Sequence, residues 1–231
     1  YLLYLGGGTV NIEEGCVIRD NKRYPSDKDS SDISGKYSVV CGAILIDGGT
    51  LNMKGGIITG CRAVEGGAIR VAKGTFNMTG GEITGNLSWS GSGIRAYADA
   101  VLNISGDSKV YGNFEGTTNA ATTPDNIRAN TGTSLNIDGE FTGKIGFKFN
   151  TAANNVLNAK IGTIADGLTL ESVDSVVCDK DTTLFAYVSG TDLILTKKLT
   201  LTAETDKGMY KKSADKGTEN DGKVYGVVRV N

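Results

Sequence analysis

A block that recurs along the first two-thirds of the chain at a near-constant interval constrains the fold more than any other feature. Gly42-Ala-Ile-Leu-Ile-Asp-Gly-Gly-Thr-Leu-Asn-Met53 is matched by Gly67-Ala-Ile-Arg-Val-Ala-Lys-Gly-Thr-Phe-Asn-Met78. Asn52 and Asn77 lie 25 residues apart, and Asn103 follows 26 further on. A unit this short cannot bury its own apolar face, so its copies must stack. Within each copy, apolar and polar residues alternate over short stretches bounded by glycine, which is the pattern of strands. Ile69 and Val71 share one face with Arg70 opposite, and Phe76 and Met78 share one with Asn77 opposite. Three short strands and three turns fill about 25 residues, which predicts an all-β fold: a parallel β-helix, a three-faced solenoid with one repeat per coil.

Aligning the copies predicts columns of core residues. Leu3, Ile44, Ile69, Ile94 and Ile127 form one, and Val10, Leu51, Phe76, Leu102 and Leu135 a second. Ile12, Met53, Met78, Ile104 and Ile137 form a third, and Ile18, Ile58, Ile83 and Val110 a fourth. Asn21, Asn86 and Asn113 recur at the third turn, where asparagine tolerates a positive φ and its amide can bond to the next copy. Two copies are longer than the rest: Asn11 to Asn52 is 41 residues and Asn103 to Asn136 is 33. The extra residues, Lys22–Val40 and Phe114–Asp125, fall at the same point of the repeat and should bulge from one edge. Insertions gathered on one side mark a working face.

The organisation expected is therefore repeats over residues 1–147, irregular coils and a β-rich C-terminal cap over 148–198, and a terminal hairpin or further module over 199–231. The chain starts inside a repeat and reads as a fragment of a longer chain, monomeric within it, with any targeting or anchoring segment elsewhere. No apolar run approaches the ~18 residues of a membrane span, so no membrane insertion is expected of these residues. A formal charge of −2 offers no basic field for nucleic acid. Histidine is absent, which removes the commonest general base. Cys16, Cys41, Cys61 and Cys178 lack C-x-x-C spacing and are read as free thiols rather than a zinc site.

Gly66-Gly-Ala-Ile69 and Ile83-Thr-Gly-Asn86 resemble the paired GGAI and FxxN motifs of chlamydial polymorphic outer-membrane adhesins. The wider unit over residues 74–86, Gly-Thr-Phe-Asn-Met-Thr-Gly-Gly-Glu-Ile-Thr-Gly-Asn, is similar to repeats in large secreted surface proteins of gut Firmicutes. The resemblance covers about residues 3–147; Cys61 stands in place of the turn asparagine, and Ser92 interrupts the Gly-Gly pair. It implies a right-handed helix and an extracellular or cell-surface location.

Arg70, Arg95 and Arg128 each follow the aligned inward isoleucine, so all three should face outward in a column. Like charges at strand spacing repel and need compensation. Acids such as Glu65, Glu82 or Asp99 would supply it, or a carboxylate or sulfate on an acidic glycan would. At the inserted edge, Arg23, Tyr24 and Trp89 are candidates for stacking on a sugar or packing on a protein. Asp27, Asp29 and Asp32 alternate in a manner that could hold Ca²⁺, without the glycine and final glutamate of the usual calcium loop. No other cofactor is implied.

Two carboxylates facing a cleft, as a glycoside hydrolase requires, do not recur at the right spacing. Trp89-Ser-Gly-Ser-Gly93 is similar to a serine-nucleophile turn but has no histidine to serve it. The function expected is a non-catalytic surface scaffold or adhesin segment that binds a glycan or a host surface protein through one decorated edge. A polysaccharide lyase or hydrolase and a plain spacer are the alternatives.

Overall fold

The computed structural model describes residues 1–21, 41–116, 118–151, 155, 157–170, 172 and 174–197. Residues Tyr1–Lys198 form one compact unit. The second unit, 199–231, lies outside the described residues, as do Arg23, Tyr24, Asp27, Asp29 and Asp32.

The first repeat contributes three short strands: β1 (Leu3–Leu5), β2 (Thr9–Ile12) and β3 (Val17–Arg19). The following repeats contribute β4 (Ile44–Met53) with β5 (Ile57–Thr59), then β6 (Ile69–Met78) with β7 (Glu82–Thr84) and β8 (Leu87–Ser88). Next come β9 (Ile94–Gly106), β10 (Lys109–Val110), β11 (Phe114–Glu115) and β12 (Thr123–Pro124). They are followed by β13 (Ile127–Ala129), β14 (Ser134–Phe141) and β15 (Lys144–Phe149). The last four are β16 (Lys160–Ile164), β17 (Val176–Cys178), β18 (Leu184–Ser189) and β19 (Asp192–Lys197).

Strands of successive repeats pair in parallel, and residues one period apart are cross-strand partners. Leu3, Ile44, Ile69, Ile94 and Ile127 stand in one row. Val10, Leu51, Phe76, Leu102 and Leu135 stand in another. From Ile44 onward these side chains are almost wholly removed from water. Burying one aliphatic side chain of this size is worth about 1.5–3 kcal/mol, so the rows supply the main driving force.

The open three-faced solenoid predicted from the repeat is not the fold, because the strands of the main sheet close on themselves. Starting from β9, the hydrogen-bonded order runs β14, β16, β19, β18, β17, β15 and β13, and β13 returns to β9. The result is a closed eight-strand barrel. The strands β1, β2, β4 and β6 lie outside this ring on the β9 side, and β10, β7, β5 and β3 on the β15 side. Two causes separate this from the predicted shape. Two of the three expected strands of a repeat run on as one, as in the ten-residue β4 and β6, with the glycines between them bending the ladder and shifting its register without ending it. The C-terminal strands then pair antiparallel, β16 with β19, β18 with β19 and β17 with β18, and bridge the two rows of parallel strands.

The glycine pair of the repeat has two separate reasons. Gly66 adopts φ +61°, a region costly for other residues. At Gly67 a Cβ would lie 2.4 Å from the carbonyl oxygen of Ser92 and 2.8 Å from that of Leu87. Both obstacles are backbone, so neither can move aside.

Two asparagine ladders tie the repeats together. On the outer face each Nδ2 donates to the Oδ1 of the preceding rung: Asn52 to Asn11, Asn77 to Asn52, Asn103 to Asn77 and Asn136 to Asn103, at 2.7–2.8 Å. Thr163 Oγ1 donates to Asn136 Oδ1 and ends the row. The inner ladder is fully buried. Asn113 Oδ1 accepts from the backbone N–H and Nδ2 of Asn86, and Asn126 Oδ1 accepts the same pair from Asn113. The positive φ expected at these asparagines falls instead on the residue before each, Asp20 at 57°, Gly85 at 69° and Gly112 at 75°. That bend turns Asn86 and Asn113 inward.

Candidate functional site

The arginine column exists as a row of strand partners, Arg70 beside Arg95 and Arg95 beside Arg128, and Lys148 of β15 extends it beyond Arg128. Its side chains are not an exposed cationic strip. Arg95 is only 4% exposed; Nη1 donates to the carbonyls of Ala96 and Arg128, and Nη2 donates to Asn130 Oδ1. Burial pushes its guanidinium below its ordinary value. Both guanidiniums lie over the Tyr97 ring, with Arg70 Cζ 4.8 Å and Arg95 Cζ 4.6 Å from its centroid, in cation–π contact. Tyr97 Oη donates to Glu65, whose carboxylate also stands 3.9 Å from Arg70 Nε.

At the other end of the column lies a denser cluster. Asp125 is completely buried, and its Oδ2 accepts from the backbone N–H groups of Gly91 and Ser92 at 2.7 and 3.2 Å. Its Oδ1 pairs with Arg128 Nε at 2.9 Å and Lys148 Nζ at 3.0 Å. Lys148 also donates to the Pro124 carbonyl at 2.9 Å, and Glu115 reaches both Arg128 Nη2 and, more loosely at 3.4 Å, Lys148 Nζ. Of the acids suggested by the sequence, only Glu65 compensates the column; Glu82 pairs with Lys109 instead.

The inserted segment Phe114–Asp125 builds this cluster. Its two strands, β11 and β12, pair antiparallel, and β11 continues in parallel onto β8. Glu115 is thereby set opposite Ser88, next in sequence to Trp89, so the tryptophan and the cluster share one edge. Trp89 is 40% exposed. A cavity of about 170 Å³ opens beside the cluster, lined by Glu115, Arg128, Lys148, Asn150, Asn155 and Lys180. A larger one, about 570 Å³, is lined by residues 131–136 and 157–163 together with Phe149, and Lys160 is the one charged side chain in its lining.

Below the cluster, Asp179 takes the next place in the inner ladder. Its carboxylate accepts from the backbone N–H and Nδ2 of Asn126 at 2.6 and 2.8 Å. Gly146 leaves the room: a Cβ there would sit 2.2 Å from Asp179 Oδ1. Burial pushes the Asp179 carboxyl up to about 6, against the hydrogen bonds from Asn126 and the nearby Lys148 charge, both of which lower it. The folded value exceeds the ordinary 3.8, so this group's contribution to stability is fully present below pH 3.8 and is lost as pH rises through about 6. Asp179→Asn removes the charge and keeps one amide oxygen, which can take both Asn126 donors as the Oδ1 of Asn113 and of Asn126 do for the rungs before them. In urea titrations it is expected to stabilise the protein at pH 7 by on the order of 2 kcal/mol and by nothing at pH 3.5. Equal effects at both pH values would contradict a buried, charged Asp179.

Cys41, Cys61 and Cys178 are buried free thiols, and burial pushes Cys41 up to about 12 and raises the other two. Among the described residues no group of three or more His, Cys, Asp or Glu side chains is placed to hold a metal ion. Among the same residues, no helix is long and apolar enough to cross a membrane. Sequence reasoning missed Lys148, Glu115 and Asp125 as partners of the column. The signal for Lys148 was Phe147-Lys-Phe149, which repeats the Ile127-Arg-Ala129 pattern.

No family model, no curated protein and no solved structure matches this chain.

Proposed function

We propose that the chain is a non-catalytic scaffold of the extracellular or cell-surface kind, which presents the edge from Trp89 to Lys180 to a glycan or a host surface protein. The observation that carries this reading is the coexistence, on one edge, of an exposed indole and a cavity rimmed by cations, two of which, Arg128 and Lys148, are held in place by internal partners. Charges already held in place recognise a ligand with little ordering cost. The resemblance of the repeat motifs to those of surface adhesins supports the same reading.

The test is binding to a glycan array and to mucin, compared between the wild type and Trp89→Ala. Loss of an exposed stacking residue is expected to weaken binding by about tenfold or more, while thermal stability stays the same. Arg95→Ala, which the sequence alone would recommend, is a poor probe because that side chain is buried and bonded to backbone carbonyls. No binding to any array member or to mucin would leave a spacer. Release of reducing or unsaturated sugars from a polysaccharide panel would establish an enzyme.

A further inference from the structure

We infer that the cavity beside Arg128 and Lys148 is a seat for one oxyanion, a carboxylate or sulfate of an acidic glycan, and that Glu115 fills it when no ligand is bound. The inference rests on the glycan-binding reading and assigns it a chemistry and a place. The rim of the cavity carries three cations, Arg128, Lys148 and Lys180, and one anion, Glu115. Lys148 is 5% exposed, so its charge is built into the wall.

The hydrogen-bonding capacity of these cations is only partly used. Arg128 spends Nε on Asp125 and Nη2 on Glu115, and its Nη1 has no acceptor among the described residues. The Lys180 ammonium has none there either. Glu115 serves both Arg128 and Lys148, but its 3.4 Å approach to Lys148 is long for a charged hydrogen bond.

Glu115 is also the most exposed and most loosely bound acid of the set. Asp125 is held by five groups, the N–H groups of Gly91 and Ser92, Ser92 Oγ, Arg128 Nε and Lys148 Nζ, and is inaccessible, whereas Glu115 is a third exposed and belongs to the short strand β11. An incoming oxyanion can take its place while Glu115 turns into water. One negative charge replaces another, so Arg128 and Lys148 are never left buried without compensation. That exchange avoids the penalty of an unpaired buried charge. The ligand oxyanion gains what Glu115 does not reach, Arg128 Nη1 and Lys180. Glu115 is thus a tethered competitor whose removal should favour the ligand.

The test uses oligogalacturonate as the carboxylate probe, a heparin oligosaccharide as the sulfate probe and a neutral maltooligosaccharide as control, titrated calorimetrically against the full chain. Glu115→Gln is expected to tighten binding of the acidic probes by about tenfold and Lys180→Ala to weaken it by about fivefold, with the neutral control unaffected. Preference for one acidic probe over the other identifies the oxyanion. Lys180→Ala removes an exposed side chain and should leave the melting temperature unchanged, so it remains informative should Glu115→Gln perturb folding. Acidic probes that bind with unchanged affinity in both variants would overturn the cavity assignment. If that binding is still lost in Trp89→Ala, the surface-scaffold reading survives without it. Absence of binding by all three probes overturns the assignment for acidic glycans and leaves the array and mucin experiment to decide the broader reading.

Discussion

Asp125→Ala is expected to destabilise the protein by about 3–5 kcal/mol in urea or guanidinium unfolding, the cost of leaving buried charges without their partner. Asp125 is the buried acid on which Arg128 Nε and Lys148 Nζ converge, and it also satisfies the N–H groups of Gly91 and Ser92. Its removal leaves an ammonium that is almost wholly buried with only the distant contact to Glu115 and a carbonyl. A domain of this kind is stable by roughly 5–15 kcal/mol in total, so the loss is a large fraction of the whole. Asp125→Asn, which keeps an acceptor but not the charge, should fall between the two. Breaking the exposed Lys54–Glu13 pair by Glu13→Ala is the control, expected to cost less than about 1 kcal/mol. Equal effects at the two sites would mean that Asp125 is not the anchor of the column.

The second large effect is expected at Asn113. Its side chain receives the Asn86 backbone N–H and donates to the Ile83 carbonyl in a wholly buried position. Asn113→Ala leaves both groups unsatisfied, at about 1–3 kcal/mol each, for a total of about 2–6 kcal/mol. Asn77→Ala removes the same chemistry from the outer ladder, where water can replace the lost partner. It should cost no more than about 1 kcal/mol. The contrast between identical substitutions, at least about twofold, is readable from two denaturation curves. Similar midpoints for the two variants would refute the division into buried and wet ladders.

Much of the strand pairing was legible because it is repetitive. Alternation marked Ile69 and Val71 as inward, and the interval between copies named Ile44 and Ile94 as the neighbours of Ile69. Closure of the barrel was not legible. It depends on β16, β18 and β19, where the repeat has faded and pairing turns antiparallel, so no period points to a partner. Glycines between two apolar stretches read as turns, yet at Gly48 and Gly49 they bend one continuous strand.

For the candidate site, the position of the arginines could be read but their surroundings could not. Outward-facing in a strand means exposed only when nothing lies above, and the inserted residues Glu115 and Asp125 supply the cover for Arg128. Burial of Arg95 likewise depends on Tyr97 and Asn130, which come from different repeats. Trp89 follows the ladder residue Asn86 closely enough in sequence to be placed at this edge, and it is 40% exposed there.

The outer asparagine row has a direction. Every amide offers its nitrogen towards the start of the chain and its oxygen towards the end, from Asn136 back to Asn11. Turning over one amide in the middle would set nitrogen against nitrogen on one side and oxygen against oxygen on the other. The rungs therefore cannot invert singly, and their small dipoles point the same way and reinforce one another. Five side chains from five separate segments behave as one oriented stripe, with a donor left over at Asn11 and a hydroxyl closing the far end at Thr163.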